Sequence, residues 1–195
     1  MKHAVVVAHP NTGSFACSVA KSYAAAAEAL GHQAVVRDLY RMGFDPCLKA
    51  SEIPGPSGFH PAADVTAERE LLSDVDVFAF IYPFWFNTPP AILKGYVDRI
   101  FCMGFGFEPA FGGTSPLLTG RKLISFTSSG APDYWVQETH ALEALMTVFD
   151  RQIGGVTGLS VVDHIHMGAI APNITAEAAE AILADVGEAV RRHFG

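Results

Sequence analysis

Several protein classes need sequence features that this chain lacks. Its 195 residues include three cysteines, Cys17, Cys47 and Cys102, which lie far apart and are odd in number. Such usage favours reduced, structural thiols over a disulfide framework or a CxxC metal or redox site. The longest uninterrupted apolar run, residues 77–86, is about half the length of a membrane-spanning helix and contains a proline. The sequence therefore excludes a disulfide scaffold and a bilayer-spanning helix.

Positive charge and catalytic signature motifs are also scarce. There are 13 Lys and Arg residues against 20 Asp and Glu, a formal net charge of -7, which argues against a nucleic-acid-binding surface. The first residues enter an apolar run without the zones of a signal peptide, which predicts a cytoplasmic protein. GxGxxG, GxxxxGK(S/T), GxSxG and HExxH are all missing from the sequence, so the Rossmann fingerprint, the P-loop, the hydrolase elbow and the zincin site lack their key residues.

What the chain does contain is an alternation of short apolar runs and helical segments. Its length predicts one domain over residues 1–195, and half of the residues are hydrophobic, enough for a sizeable core. The predicted strands are residues 4–8, 33–37, 75–82, 122–127 and 158–162, and the predicted helices are 15–30, 62–72, 90–99, 134–149 and 175–192, with long loops at 38–61 and 105–120. This alternation predicts an α/β fold, and five strands favour a flavodoxin-like parallel sheet with helices on both faces.

Ligands of such a sheet bind outside the carboxyl ends of the strands, where the strand order reverses. The loop after the first strand, residues 9–15, runs from a strand end into a helix start, where free N–H groups and the helix dipole favour an anion. Ser14 equally suits a simple helix cap, and Gly13 a simple turn. His9 fits either a diphosphate contact or a bond to a loop carbonyl.

Two further loops reach the same predicted edge. Residues 82–90 hold Phe84, Trp85 and Phe86 among three prolines, which suits a planar ring system or, alternatively, a hydrophobic plug over the sheet. Residues 127–132 supply hydroxyls and N–H groups, which would suit either the polar rim of a flavin or the negative charge of its reduced form. His164 and His166 point the same way in an extended segment, but two ligands do not make a zinc site, so no metal is predicted.

The three loops together resemble a known family, the flavodoxin-like NAD(P)H:quinone oxidoreductases of the DT-diaphorase and modulator of drug activity type. The resemblance covers nearly the whole chain. It is carried by the following segments: Ala8-His9-Pro10 with Ser14-Phe15, the run Tyr82-Pro83-Phe84-Trp85-Phe86 leading through residues 90–95 to Asp98-Arg99, and Gly104-Phe105-Gly106-Phe107.

The resemblance implies a homodimer that binds flavin, FAD or alternatively FMN, and transfers two electrons from NAD(P)H to a quinone-like acceptor in a ping-pong scheme. It assigns the flavin contacts to His9, Asn11, Ser14, Phe15, Ala16, Pro83, Phe84, Trp85, Phe86, Asn87, Thr127, Ser129 and Gly130. Phe105 and Phe107 would line the neighbouring subunit's substrate pocket. Tyr134 and His140 look like the family's catalytic tyrosine and histidine, with Trp135 as the other candidate for the tyrosine position.

Two departures from the family pattern stand out. Ala16 occupies a position where many members have asparagine, and Phe86-Asn87 replaces a more aromatic pair, which makes the acceptor side more polar. Two other functions stay open at this point. One is a flavin-binding regulatory subunit of a potassium-efflux-type transporter, and the other is a one-electron flavodoxin carrier, for which more acidic residues near the flavin are expected. The sequence leaves NADH against NADPH and the physiological acceptor undecided.

Overall fold

A parallel sheet forms the centre of the computed structural model, which describes residues 1–56 and 58–195, so that Ser57 in the predicted loop 38–61 lies outside the described residues. The strands are β1 (Lys2–Val7), β2 (Gln33–Asp38), β3 (Val77–Pro83), β4 (Phe107–Ala110), β5 (Gly113–Pro116), β6 (Lys122–Ser128) and β7 (Ser160–Met167). Five of them form one sheet in the order β2-β1-β3-β6-β7, and every neighbouring pair is parallel. The flavodoxin-like α/β prediction is confirmed.

Helices cover both faces of this sheet. They are α1 (Phe15–Ala29), α2 (Ala63–Leu71), α3 (Ala91–Ile100), α4 (Asp133–Glu138), α5 (Ala141–Leu145), α6 (Gln152–Thr157) and α7 (Ala176–Phe194), with a 3₁₀ turn at Ala50–Glu52 and a π-helical segment at Met146–Arg151. Strand β3 is buried along its whole length because alternate residues enter two cores. Phe78 and Phe80 pack towards α2, α3 and the segment 141–153, whereas Ala79 and Ile81 pack towards α1 and α7.

The first helix begins where the sequence places it. Ser14 is its N-cap, and the side-chain oxygen accepts a hydrogen bond from the Cys17 amide at 3.3 Å. The helix ends at Ala29, and Gly31 follows in the left-handed region at φ +78°. The capping and the glycine stop are both confirmed.

Residues 105–120 are a correction, because they contain secondary structure that was predicted as loop. Strands β4 and β5 form an antiparallel hairpin whose tip includes Gly112 at φ +80°. Most of the hairpin is exposed, so its sequence lacks the apolar alternation that marks a half-buried strand. Phe111 at the tip is fully exposed.

The helix predicted at residues 134–149 is also corrected, because it is interrupted. His140 adopts the left-handed conformation, φ +53°, between α4 and α5, and the chain then continues through the π-helical segment into α6. Strand β7 is longer than the predicted 158–162 and extends to Met167. Its added residues include two partly or fully buried histidines, His164 and His166, whose hydrogen bonds make burial possible.

The long segment between β2 and α2 is tied to α3 by a buried arginine. The Arg99 guanidinium donates to both Glu52 carboxylate oxygens at 2.7 and 2.9 Å, to both Asp64 oxygens at 2.7 and 3.0 Å, and to the Asp45 carbonyl at 2.7 Å. We call these four residues the Arg99 cluster. The segment that contains Asp45 and Glu52 is thereby held against α3.

Candidate functional site

A cavity of about 440 Å³ opens beyond the carboxyl ends of β1, β3 and β6. This is the point of strand-order reversal, since β1 lies between β2 and β3. The predicted flavin contacts that line it are His9, Asn11, Ser14, Phe15, Ala16, Pro83, Phe84, Trp85, Ser129 and Gly130. These residues are scattered over the sequence, but they meet at one cavity because the parallel strands that precede them end at one edge of the sheet.

The turn after β1 is fixed by its own hydrogen bonds. The Asn11 amide donates to His9 Nδ1 at 3.0 Å, the Asn11 side-chain oxygen accepts from the Gly13 amide at 2.9 Å, and the Asn11 carbonyl accepts from the Ser14 amide at 3.1 Å. His9 and Asn11 thus shape the turn as well as lining the cavity.

Two backbone donors remain at the start of α1. The N–H groups of Phe15 and Ala16 belong to the first helical turn, which has no intrahelical acceptor for them, and within the described residues neither donates to the protein. Both residues line the cavity. The helix start can therefore hold an anion while Ser14 caps the helix, so the two interpretations of this turn are compatible.

The aromatic wall is built on a strained turn. Trp85 is 44% exposed, and its ring lies 5.5 Å from that of His9, between ring centroids. The next two residues, Phe86 and Asn87, have φ values of +48° and +58°, and the Thr88 amide closes the turn on the Trp85 carbonyl at 3.0 Å. Positive φ is uncommon for residues other than glycine, although Asn adopts it more readily than most.

Phe86 and Asn87 were predicted as flavin contacts, but the structure places them beside the cavity and not in its lining. Phe86 is fully exposed at the turn tip. Left-handed backbone at both positions forms a tight turn in which both residues are exposed, and this accounts for the difference from the prediction.

The strand that ends at Ser128 contributes differently from expectation. Ser129 and Gly130 line the cavity, whereas Thr127 lies behind the wall and is completely buried. The Thr127 hydroxyl bonds to His164 Nε2 at 2.9 Å and to His166 Nδ1 at 2.8 Å. Thr127 lies on the same face as Ser129 but two residues further from the strand end, beside the interior partners of β7, so its flavin contact stays a prediction.

The predicted catalytic pair is not brought into the cavity of this chain. Tyr134 in the first turn of α4 is 64% exposed. His140 is exposed, and its Nδ1 lies 3.5 Å from a carboxylate oxygen of Glu143. Neither residue lines the cavity. Their catalytic role therefore stays a prediction.

The two predicted substrate contacts lie in different surroundings. Phe105 packs edge-on against Phe78 and Phe101 in the core, with ring centroids 6.5 and 5.8 Å apart. Phe107 lines a second, mainly apolar cavity of about 220 Å³ between α3 and residues 148–157. The structure thus does not bring these two rings together at the first cavity.

One wall of the first cavity was missed by the sequence argument. It is the loop after β7, which contributes Ile170, Ala171, Pro172 and Ile174. Strand β7 was predicted to end at residue 162, so this loop was not recognised as lying at the same edge. The apolar run that follows the alternating His164-x-His166 pattern is the signal that would have located it.

Two absences complete the description of the site. Among residues 1–56 and 58–195, no three His, Cys, Asp or Glu side chains are grouped so as to hold a metal ion. The helices of this same part of the chain are each too short or too polar to cross a membrane.

Comparisons with known proteins agree with this architecture. A family model described as a flavodoxin-like fold matches residues 1–193. The chain is 31% identical over 132 residues to an uncharacterized NAD(P)H oxidoreductase of Haemophilus influenzae, covering 67% of this chain and 65% of that protein. It is 32% identical over 152 residues to a ribosyldihydronicotinamide dehydrogenase (quinone) of Pongo abelii, covering 68% and 65%. The matches span slightly less than two thirds of these relatives.

Solved structures show the same fold. An NAD(P)H:quinone oxidoreductase from Methanothermobacter marburgensis superposes with a TM-score of 0.82 at 26% identity, over 98% of this chain and 96% of that chain. An FMN-dependent NADH-azoreductase from Bacillus anthracis in complex with FMN gives a TM-score of 0.74 at 18% identity, over 98% of each chain, which shows likeness of fold alone.

Proposed function

The chain belongs to the flavodoxin-like fold family, and from that premise we propose that it is a flavin-dependent oxidoreductase that transfers two electrons from NAD(P)H to quinones or similar acceptors. One observation carries the proposal. A single cavity at the switch point combines unused helix N–H donors, a flat aromatic wall and a hydroxyl-bearing loop. The names of the relatives, NAD(P)H oxidoreductase and quinone-dependent dehydrogenase, support the same chemistry.

The residues that line the cavity suit the phosphate and the ring system of a flavin. The amides of Phe15 and Ala16 suit the phosphate, because they are free donors at the positive end of a 15-residue helix. Trp85 offers a flat, half-exposed ring to the isoalloxazine. Ser129 and Gly130 offer a hydroxyl and a backbone amide to the polar rim. A bound flavin would supply the ring that accepts and returns hydride.

We propose FAD as the cofactor, with FMN as the alternative that the FMN-bound azoreductase supports. The test is to denature the purified holoprotein and identify the released flavin by chromatography. Release of FAD supports the first choice, and release of FMN replaces it. A protein without flavin absorbance that also fails to bind either flavin contradicts the proposed function.

The aromatic wall can be tested with a matched pair of tryptophans. Trp85 and Trp135 are 44% and 42% exposed, but only Trp85 lines the cavity. Trp85→Ala is expected to weaken flavin binding at least about fivefold, since ring stacking contributes on the order of 1 kcal/mol beyond buried area. Trp135→Ala is expected to keep the wild-type flavin affinity. Fluorescence titration of the apoprotein measures both, and equal losses would contradict the wall assignment.

The reaction is proposed to follow a ping-pong scheme, with nicotinamide and acceptor using the same open side of the cavity in turn. Initial rates at several fixed acceptor concentrations should then give parallel double-reciprocal lines. Converging lines would contradict the scheme but not the activity. Bound flavin with negligible quinone-dependent NAD(P)H oxidation would instead favour a regulatory flavoprotein.

We further propose a homodimer that completes this site. Phe86 beside the cavity, Phe111 at the hairpin tip and Val148 beside the second cavity are exposed apolar side chains, and Val148 is 69% exposed. In the dimer, Phe105 and Phe107 would contribute to the partner's acceptor pocket. Light scattering after size-exclusion chromatography measures the mass, and a monomer at working concentration contradicts the proposal.

Tyr134 and His140 are proposed to assist hydride transfer by hydrogen bonding near the reacting ring. His140→Gln is expected to slow flavin reduction by NAD(P)H while flavin stays bound. Stopped-flow absorbance gives the rate, and unchanged reduction kinetics would remove His140 from the mechanism.

A further inference from the structure

A continuous chain of hydrogen bonds runs from the protein interior to the cavity. Asp150 Oδ2 lies 2.5 Å from His164 Nδ1, and His164 Nε2 lies 2.9 Å from the Thr127 hydroxyl. Thr127 is in turn 2.8 Å from His166 Nδ1, and His166 Nε2 is 3.0 Å from the Ser129 hydroxyl. We call these five residues the relay. Its inner end is fully buried, and its outer residue, Ser129, lines the cavity.

The pairing of two strands builds the relay. Thr127 on β6 lies opposite His166 on β7, and Ser125 lies opposite His164. Because side chains alternate along a strand, these four project from the same face of the sheet. The Thr127 hydroxyl therefore lies between the two imidazoles and hydrogen-bonds to both, while the Ser125 hydroxyl donates to Asp150.

The inner end depends on an unusual helix. Asp150 belongs to the π-helical segment Met146–Arg151 and is completely buried. Its Oδ1 accepts a hydrogen bond from the Ser125 hydroxyl at 2.7 Å, and its Oδ2 contacts His164. Single π-helical turns occur frequently at functional sites, where they redirect a side chain. A buried carboxylate is costly unless it is paired, so its place beside an imidazole has a physical purpose.

The heavy-atom positions allow two arrangements of hydrogen. In the first, both imidazoles are neutral and carry hydrogen on Nδ1, and every bond donates inward, from Ser129 towards Asp150. In the second, His164 carries hydrogen on both nitrogens, and every bond beyond it donates outward, until the Ser129 hydroxyl donates to the Ala131 carbonyl at 3.0 Å. The second arrangement contains one more proton than the first.

Passing from one arrangement to the other moves a proton without moving a heavy atom. A proton accepted at Ser129 Oγ displaces the hydroxyl hydrogen to His166 Nε2. The Nδ1 hydrogen of His166 then passes to Thr127, and the Thr127 hydrogen passes to His164 Nε2. One O–H or N–H bond forms for each that breaks, and the positive charge finally rests beside the Asp150 carboxylate.

The proposed reaction needs such a proton. NAD(P)H provides a hydride, whereas a quinone needs a hydride and a proton to become a hydroquinone, so each two-electron turnover consumes one proton. Building on the proposed function, we propose that the relay is a proton store that takes up a proton through Ser129, holds it on His164, and returns it through Ser129 to the acceptor.

Titratable and polar groups surround both imidazoles of the relay. Burial lowers the pKa of His166, and the charge of a protonated His164 lowers it further, while Asp133 opposes both. Asp163 Oδ1 accepts a hydrogen bond from the backbone amide of His164 at 2.9 Å. The Tyr82 hydroxyl is buried, and among the described residues it has no hydrogen-bond partner. Asp150, in contrast, contacts the His164 ring directly.

Matched threonine variants test the store. Thr127→Val removes the central hydroxyl but keeps the side-chain shape. Thr157→Val makes the same change at another buried threonine, whose hydroxyl bonds to the Ile153 carbonyl at 2.7 Å within its own helix. In the wild-type holoprotein, ¹⁵N NMR should show His164 becoming doubly protonated when the flavin is reduced without oxygen. Thr157→Val should behave likewise, whereas His164 in Thr127→Val should stay neutral.

Proton counting and kinetics provide independent readouts. The pH dependence of the flavin midpoint potential should show one proton fewer taken up per two electrons in Thr127→Val than in the wild type. Reoxidation by quinone should slow on the order of 100-fold, while reduction by NAD(P)H is unchanged. Asp150→Asn, which removes the charge at the inner end, should also keep His164 neutral.

The outcomes separate the two proposals. One outcome is that the wild type binds flavin and oxidises NAD(P)H with quinone while His164 stays neutral in both redox states. That result overturns the proton store and leaves the proposed oxidoreductase function standing. Equal proton uptake in Thr127→Val and Thr157→Val also overturns it. Absence of flavin binding overturns the proposed function, and this role of the relay with it.

Discussion

The Arg99 cluster and the relay are two groups of polar side chains in the interior, and they differ in whether their hydrogen bonds can reverse direction. In the Arg99 cluster, a guanidinium that is 1% exposed donates to two carboxylates and a carbonyl. Its hydrogen bonds run in one direction because arginine keeps its charge and has no acceptor. In the relay, hydroxyls and imidazoles both donate and accept, so the direction can reverse.

The contrast separates a structural cluster from one suited to proton movement. Arg99 lowers the pKa of Glu52 to about 2 through their hydrogen bonds, so this carboxylate stays ionised at neutral pH. The cluster reaches solvent at Asp64, a carboxylate whose side chain is 50% exposed, whereas the relay ends at a cavity-lining serine. Burial and hydrogen bonding are common to both, and the difference is that hydroxyls and imidazoles can both donate and accept, whereas a guanidinium only donates.

The largest expected effect breaks the Arg99 cluster. Arg99→Met leaves the buried Glu52 carboxylate without its cation and should lower the free energy of unfolding by about 3–5 kcal/mol. Thr127→Val, which breaks the relay, should cost only about 1–3 kcal/mol, because neutral groups lose their partners. Urea unfolding at pH 7 measures both. A larger loss for Thr127→Val than for Arg99→Met would reverse the comparison.

The next effect concerns a buried histidine without a carboxylate partner. His3 bonds to the Tyr23 hydroxyl at 2.8 Å and to His32 at 3.1 Å. Burial, and secondly the charge of His32, lower the pKa of His3 to about 4. The unfolded chain therefore binds more protons between about pH 6.5 and 4, so stability is complete above 6.5 and declines towards 4, by up to about 3 kcal/mol.

The His3 prediction has two measurements. NMR should show its imidazole neutral down to about pH 4, in contrast to the redox-dependent protonation expected of His164. Urea unfolding at pH 7.5 and pH 5 should show a smaller pH dependence in His3→Gln than in the wild type. An imidazole of His3 that titrates near 6.5 would contradict the assignment.

A smaller effect tests how closely the loop of the Arg99 cluster approaches α3. A Cβ added at Gly95 would lie 2.2 Å from the Pro46 carbonyl oxygen, next to Asp45. Gly95→Ala should therefore cost about 1–3 kcal/mol. Gly155→Ala is the matched control, because this helical glycine has nothing within 4 Å, and the change should stabilise by about 0.4–1 kcal/mol. Equal effects in chemical denaturation would contradict the close approach.

The smallest effect is expected for an exposed ion pair on α3. Lys94 Nζ and Asp98 Oδ1 lie 2.5 Å apart, with 56% and 42% of their side chains exposed. Asp98→Asn should change the free energy of unfolding by no more than about 0.3–0.5 kcal/mol. Thermal unfolding at low and high salt checks this value, and a loss approaching that of Arg99→Met would show that burial does not separate the two pairs.

The sequence located most of the cavity but not its boundaries. Ser14, Trp85 and Ser129 follow strands whose apolar runs are unmistakable, so their meeting at one edge could be predicted. Phe86 turns away because of a left-handed turn, which local sequence does not specify without a glycine. Asp150 escaped notice because its inward position depends on a π-helical segment, for which the sequence has no signature.

By itself, the sequence determined the alternation of strands and helices, the parallel sheet and the edge where a ligand binds. Apolar periodicity can be read along the chain, and crossover connections between parallel strands have a fixed handedness. The tertiary structure alone decided which polar residues became partners. Ser125-x-Thr127-x-Ser129 and His164-x-His166 are unremarkable patterns until β6 and β7 pair in register. Hydrogen bonds between distant segments need that register, and it is fixed only when both strands are buried in the folded sheet.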